Sequence, residues 1–150
     1  MIEQIDNLDK KILSELLAHC RKSFRQIAVE LGVSPVTILS RVRRMEKSDI
    51  IKGYSVILEH EKLGYQLTAV TEITVSKGKL LEMEREIAKI PATCCVYDVT
   101  GLTDAIVVAK FRSRDDLSAY AKALLAMPFV ERTNTHVVLT TVKEDFRLSP

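Results

Sequence analysis

Thr37, Ser40, Arg41, Arg44 and Ser48 fall at i, i+3, i+4, i+7 and i+11, so a helix through them carries one stripe of hydroxyl and guanidinium donors containing no acid. Such a stripe suits the major groove of DNA, where arginines and hydroxyls reach base edges and phosphates. Ile38, Val42 and Met45, at i, i+4 and i+7, form the adjoining apolar face that turns inward. Ser34 stands where an N-cap belongs and Pro35 at the first helical position, which starts the helix just ahead of the stripe. Arg25 and Gln26 open the preceding helix, and a helix N-terminus favours phosphate. The competing reading of these residues is a small helical bundle with a basic, solvated face.

The charge distribution bears on that choice. The net charge of +2 over 150 residues is a sum of two unlike parts. Residues 1–58 hold ten Lys/Arg against seven Asp/Glu, a net +3, and residues 59–150 are at −1. Between Arg21 and Lys52 the excess is eight bases to three acids. A compact basic block beside a neutral remainder is the pattern of a phosphate-binding module attached to something else.

The elements that must position the stripe can be read around it. Ile5, Leu8, Ile12, Leu13, Leu16, Leu17 and Cys20 recur at helical spacing, with Asp6 placed to cap them. Ser23 and Gln26 form an S-x-x-Q capping box for a second helix with Phe24, Ile27, Ala28 and Leu31 as its apolar side, and Gly32 closes it. Only Val33 separates Gly32 from Ser34, so two helices meet across a tight glycine turn: a helix-turn-helix. Leu8, Leu16, Phe24, Leu31 and Met45 are expected to share its core. The run Ile51–Leu58 reads as a strand leaving the domain.

Residues 59–66 are polar, contain Gly64 and read as a linker. Residues 67–150 form the second domain. Leu67–Val75 alternates and is strand-like; Leu80, Met83, Ile87 and Ile90 mark a helix ending before Pro91. Cys94–Val99 and Asp104–Phe111 are strands joined by a short turn. Ser113 with Asp116 caps a helix carrying Leu117, Tyr120, Ala121, Leu124 and Leu125, and a last strand runs from Val130 to about Val142. The fold class is therefore α+β: a helix-turn-helix domain over 1–58, then a ferredoxin-like βαββαβ domain. Ala105–Ala109 is apolar without a break and Val137–Leu139 repeats the pattern, so the helix-free sheet face also calls for burial. A second copy of the chain is the simplest partner, giving a homodimer.

These residues resemble those of the Lrp/AsnC family, the feast/famine regulators, over essentially the full length. The similarity rests on Leu8-Asp9 before Ile12-Leu13, on Ile27-Ala28 and Leu31-Gly32, and on Ser34-Pro35 followed by Arg41-Val42-Arg43-Arg44-Met45-Glu46. It continues through Ile51-Lys52-Gly53-Tyr54, Leu63-Gly64, Gly101-x-x-Asp104 and the Thr-rich stretch from Val130 to Lys143. The resemblance implies a winged helix-turn-helix on a hinge, a ferredoxin-like effector domain, dimers assembling further, often to octamers, and a response to amino acids. Asp49 departs from the glycine usual after the recognition helix, and Asp tolerates the left-handed backbone better than most residues.

The resemblance also places an effector near the turn between the second and third strands of the second domain, here Gly101, Leu102, Thr103 and Asp104. Backbone N–H groups of a glycine turn suit an α-carboxylate, and Asp104 suits an α-ammonium. Thr133 and Thr135 offer hydroxyls, and Tyr97 and His136 are further candidates for the lining, so a polar amino acid such as glutamine or asparagine is expected. An ordinary hairpin turn is the plainer reading of Gly101 and Asp104.

The expected partners are thus a palindromic duplex DNA operator, an amino-acid effector and further copies of the chain, with no membrane and no cofactor. No apolar run approaches the roughly 18 residues needed to span a bilayer. The acidic, polar start MIEQIDNLDK is unlike a secretory leader, so a cytoplasmic location is expected. Three cysteines, two of them adjacent, make neither a disulfide framework nor a spaced zinc site. Two alternatives share this architecture: a haem-pathway decarboxylase, and an effector-only adaptor without DNA binding. His19, His60, His136, Cys94 and Cys95 compose no nucleophile or metal constellation, and the basic stripe would serve no purpose in such an enzyme, so no enzymatic activity is expected.

Overall fold

The computed structural model describes residues 5–76 and 78–150. Three helices come first: α1 (Asn7–Ala18), α2 (Phe24–Leu31) and α3 (Pro35–Lys47). Each starts on a side-chain cap. Asp6 and Asp9 form a reciprocal capping box on α1, Ser23 and Gln26 do the same on α2, and the Ser34 hydroxyl accepts from the Thr37 N–H on α3. Gly32 ends α2 at φ +67°, a left-handed turn that only glycine makes without cost, and lets α3 begin three residues later. Asp49 takes the same left-handed conformation after α3, at φ +58°. Ile12, Leu16, Ile27, Ala28, Ile38, Val42 and Met45 are buried together, with Leu8, Phe24 and Leu31 partly buried around them.

The second unit contains β1 (Leu67–Val75), α4 (Leu80–Ala88), β2 (Thr93–Asp98), β3 (Ala105–Phe111), α5 (Arg114–Leu125) and β4 (Val130–Val137). The sheet order is β2-β3-β1-β4 and every pairing is antiparallel, which is the ferredoxin-like arrangement. Ala69 and Ile73 of β1, and Ala105, Val107, Ala109 and Phe111 of β3, pack on Met83, Ile87, Tyr120 and Leu124 of the two helices. Side chains alternate across the sheet, so Val70, Ile106 and Val108 lie on the face without helices. They are only half-buried, and Thr68, Glu72, Asn134 and His136 surround them. The unpartnered apolar area is thus narrower than the unbroken Ala105–Ala109 run implied.

Three expectations differ from the structure. Residues 52–59 form no strand or β-wing, because no described segment pairs with their backbone. The last strand stops at Val137, with one further bond from the Val138 N–H to the Thr68 carbonyl; in this register residues 140–142 would fall opposite 64–66, ahead of the start of β1 at Leu67. The compact units also divide elsewhere: one runs to Ile57 and takes in Glu144–Pro150, and the other is Leu58–Lys143. The final residues join the first unit because Arg147, Leu148 and Pro150 line a groove of about 790 Å³ with Leu13, Leu16 and Tyr54.

Candidate nucleic-acid interface and effector turn

The core residues Ile38, Val42 and Met45 fix which side of α3 faces outward. Directly opposite them, at about 100° per residue, stand Val36, Ser40, Arg43 and Lys47, all exposed. Val36 is 74% exposed, an apolar side chain held open at the helix start. Arg43 and Lys47 make no ion pair among the described residues. Arg25 is likewise exposed at the start of α2, and the Gln26 carbonyl oxygen accepts from the Ser23 N–H at 2.8 Å. The sequence stripe of Thr37, Ser40, Arg41, Arg44 and Ser48 proves to be a flank lying roughly a quarter-turn away. Only Ser40 belongs to both sets.

That flank faces α1. Arg41 Nη1 donates to Asp6 Oδ2 at 2.5 Å and to Asp9 Oδ1 at 3.0 Å, and Arg44 Nη2 donates to Asp9 Oδ2 at 2.5 Å. Asp9 is wholly buried and also accepts from the Asp6 N–H at 3.0 Å. The side chain of Arg41 is 26% exposed and that of Arg44 is 44% exposed. Ser34 Oγ and Thr37 Oγ1 lie 2.8 Å apart, one hydroxyl donating to the other. Val36 and Arg43 went unrecognised in the sequence, although their positions opposite the apolar face were the available signal.

The Arg41 guanidinium holds the Asp6 carboxyl at about 2, well below its ordinary 3.8. Ionised Asp6 therefore favours the folded form, fully so above about pH 4 and progressively less as pH falls toward 2. Asp6→Asn is expected to flatten acid unfolding across that window, read by circular dichroism against pH.

The turn between β2 and β3 presents Gly101 at φ +135° and Leu102 at 95% exposure, with Thr103 and Asp104 partly buried. Asp104 Oδ2 accepts from the Val75 N–H at 2.8 Å, and the Asp104 N–H donates to the Ile73 carbonyl at 2.9 Å. Asp104 thus ties the start of β3 to the end of β1. Asp104→Ala is expected to cost about 1–2 kcal/mol by leaving that N–H unpaired, measurable by thermal unfolding without ligand.

The remaining effector candidates are not brought together within one chain. Tyr97 lies on β2 and Thr133, Thr135 and His136 on β4, the two opposite edges of the sheet, about 14 Å apart at ordinary strand spacing. Thr133 and Thr135 pair with Ile73 and Thr71, which places them on the helix side, where Thr135 Oγ1 lies 3.2 Å from Thr71 Oγ1. His136 and Tyr97 lie on the helix-free side, and His136 Nε2 is 3.5 Å from Glu72 Oε1. Among the described residues no group of three His, Cys, Asp or Glu side chains is placed to hold a metal ion. No described helix is long and apolar enough to cross a membrane.

A capped helix-turn-helix unit with a basic outward face, chained to a ferredoxin-like unit, defines a class of two-part DNA-binding regulators. Residues 5–46 match the AsnC-type helix-turn-helix domain and residues 68–148 the Lrp/AsnC ligand binding domain. The chain belongs to the Lrp/AsnC family of transcriptional regulators. It is 50% identical to an uncharacterised helix-turn-helix-type transcriptional regulator of Pyrococcus furiosus, across 98% of this chain and 99% of the relative. It is 33% identical to the transcriptional regulator FL11 of Pyrococcus horikoshii, across 96% and 95%. Among solved structures, AsnC of E. coli superposes with a TM-score of 0.90 at 26% identity, across 98% and 99%. A Neisseria meningitidis transcriptional regulator, solved as a complex with L-Met, shares the fold with a TM-score of 0.88 at 24% identity, across 97% and 96%.

Proposed function

We propose that this regulator is a homodimer or larger assembly that binds a palindromic operator and changes its affinity when an amino acid occupies the Gly101–Asp104 region. The observation carrying the DNA part is the outward face of α3, basic and free of acids, presented by the Gly32 turn and the Ser34 cap. Two-fold symmetry sets half-sites about one helical turn apart, roughly 10 bp centre to centre. A second copy is supported by apolar surface that the chain does not cover: Val56, Ile57 and Leu58 are exposed on an extended segment without backbone partners, and Leu139 is exposed beyond β4.

The effector part is supported by the L-Met complex of the Neisseria relative and by the open N–H groups of the Gly101 turn. Residues from two chains must line such a site, because Tyr97 and His136 lie on opposite edges of one sheet. The Thr133 and Thr135 hydroxyls face the helices, so they favour no polar side chain in the ligand. Linkage requires that an effector which shifts DNA affinity have its own affinity shifted equally by DNA.

The test is calorimetric titration with each of the twenty amino acids, without and with a bound operator fragment. At least one amino acid is expected to bind, with an affinity that differs between the two states. Heats absent for all twenty would remove the effector part and leave DNA binding standing.

A further inference from the structure

Arg41 looks, from its spacing, like a DNA-contacting arginine, but its surroundings assign it other work. One Nη of its guanidinium is shared between Asp6 and Asp9, and Asp9 is fully buried beneath it. Asp9 in turn holds Arg44 and the Asp6 N–H that closes the capping box of α1. The N-terminal turn of α1 and the flank of α3 are therefore joined by one network of charge-assisted hydrogen bonds. A guanidinium already paired with two carboxylates releases few counterions on meeting a phosphate. The face a quarter-turn away has the opposite character. Val36 is a bare apolar side chain, Ser40 a hydroxyl and Arg43 a guanidinium with no ion pair among the described residues, spaced i, i+4 and i+7. A valine held open at the start of this helix can pack on the methyl group of thymine.

We infer that Val36, Ser40 and Arg43 determine the sequence this regulator selects, while Arg41 is a positioning residue that orients α3 through Asp6 and Asp9. The inference rests on the DNA-binding reading above and divides the labour within it.

The experiment is selection of duplexes from a randomised pool by the full-length chain. It is followed by affinity measurements on the selected and a scrambled duplex over a salt series, with thermal unfolding of each variant. Val36→Ala and Arg43→Ala are expected to relax the selected sequence at one or two base pairs per half-site, lowering discrimination there about tenfold, with unchanged unfolding. Arg41→Ala is expected to lower the unfolding midpoint. Far below that midpoint, it lowers the ratio of selected to scrambled affinity across the whole site, without changing the salt slope. Asp6→Asn retains a capping side chain, and so folds, and it lowers the same ratio to a smaller extent.

A salt slope reduced by about 0.9 per half-site in Arg41→Ala, or relaxation confined to one base pair, would make Arg41 a direct DNA contact and overturn the inference. Unchanged selection by Val36→Ala and Arg43→Ala would overturn it as well. A wild-type chain that enriches no sequence would overturn the DNA-binding reading itself, which variant-specific effects alone cannot do.

Discussion

Asp9→Ala is expected to destabilise the DNA-binding unit by about 2–4 kcal/mol, one of the largest single losses available in this chain. The carboxylate is buried and serves three donors at once: Arg41, Arg44 and the Asp6 N–H. Removing it leaves two guanidinium groups beside an apolar core and opens the first turn of α1. Both arginines are partly exposed and can recover some hydration, which sets the figure below the loss for a pair buried on both sides. In a unit of this size the unfolding midpoint falls by roughly 4–8 °C per kcal/mol, so the effect is readily visible by calorimetry. The cost arises from breaking the network, not from any intrinsic advantage of charge. Replacing Asp9, Arg41 and Arg44 together by apolar residues of similar volume is therefore expected to recover much of the stability. An Asp9→Ala chain that unfolds with the wild type would mean that α1 and α3 are held by the Ile12–Ile38 core alone.

The second large effect concerns salt. A dimer presenting Arg25 and Lys47 from each copy has about four cations poised for phosphate, for a slope of log K against log salt near −3.6. Raising salt from about 50 to 200 mM then lowers operator affinity on the order of a hundredfold. The slope is expected to be independent of amino-acid effector unless the effector changes how many α3 helices engage. Fluorescence anisotropy over a salt series measures it. A slope near −1 would show that the basic block between Arg21 and Lys52 does not meet the duplex.

Local features of this fold were legible to the residue. Asp6, Ser23 and Ser34 cap the three helices as their spacing required, Gly32 turns left-handed, and β1 begins and ends at Leu67 and Val75. Short-range hydrogen bonding and side-chain periodicity decide such features, and both are written in consecutive residues. What escaped were choices made by distant neighbours. The acid-free stripe on α3 was correctly seen as a stripe, but its orientation depended on Asp6 and Asp9, more than thirty positions earlier. Thr133 and Thr135 were correctly placed on one face of β4, while the face itself was decided by pairing with Ile73 and Thr71. Asp104 was correctly tied to the turn, but its partner is the end of β1. In each case the element and its period are as the spacing requires, and a distant packing partner decides which way the side chain faces.

Enrichment of bound fragments from genomic DNA tests most directly whether α3 reads DNA with its outward face. The full-length wild-type chain is expected to enrich one palindromic motif with half-sites about 10 bp apart, and Arg43→Ala is expected to lose or degrade that motif while folding normally. Fragments recovered at their input frequency by wild type, or the same motif recovered equally by Arg43→Ala, would contradict it.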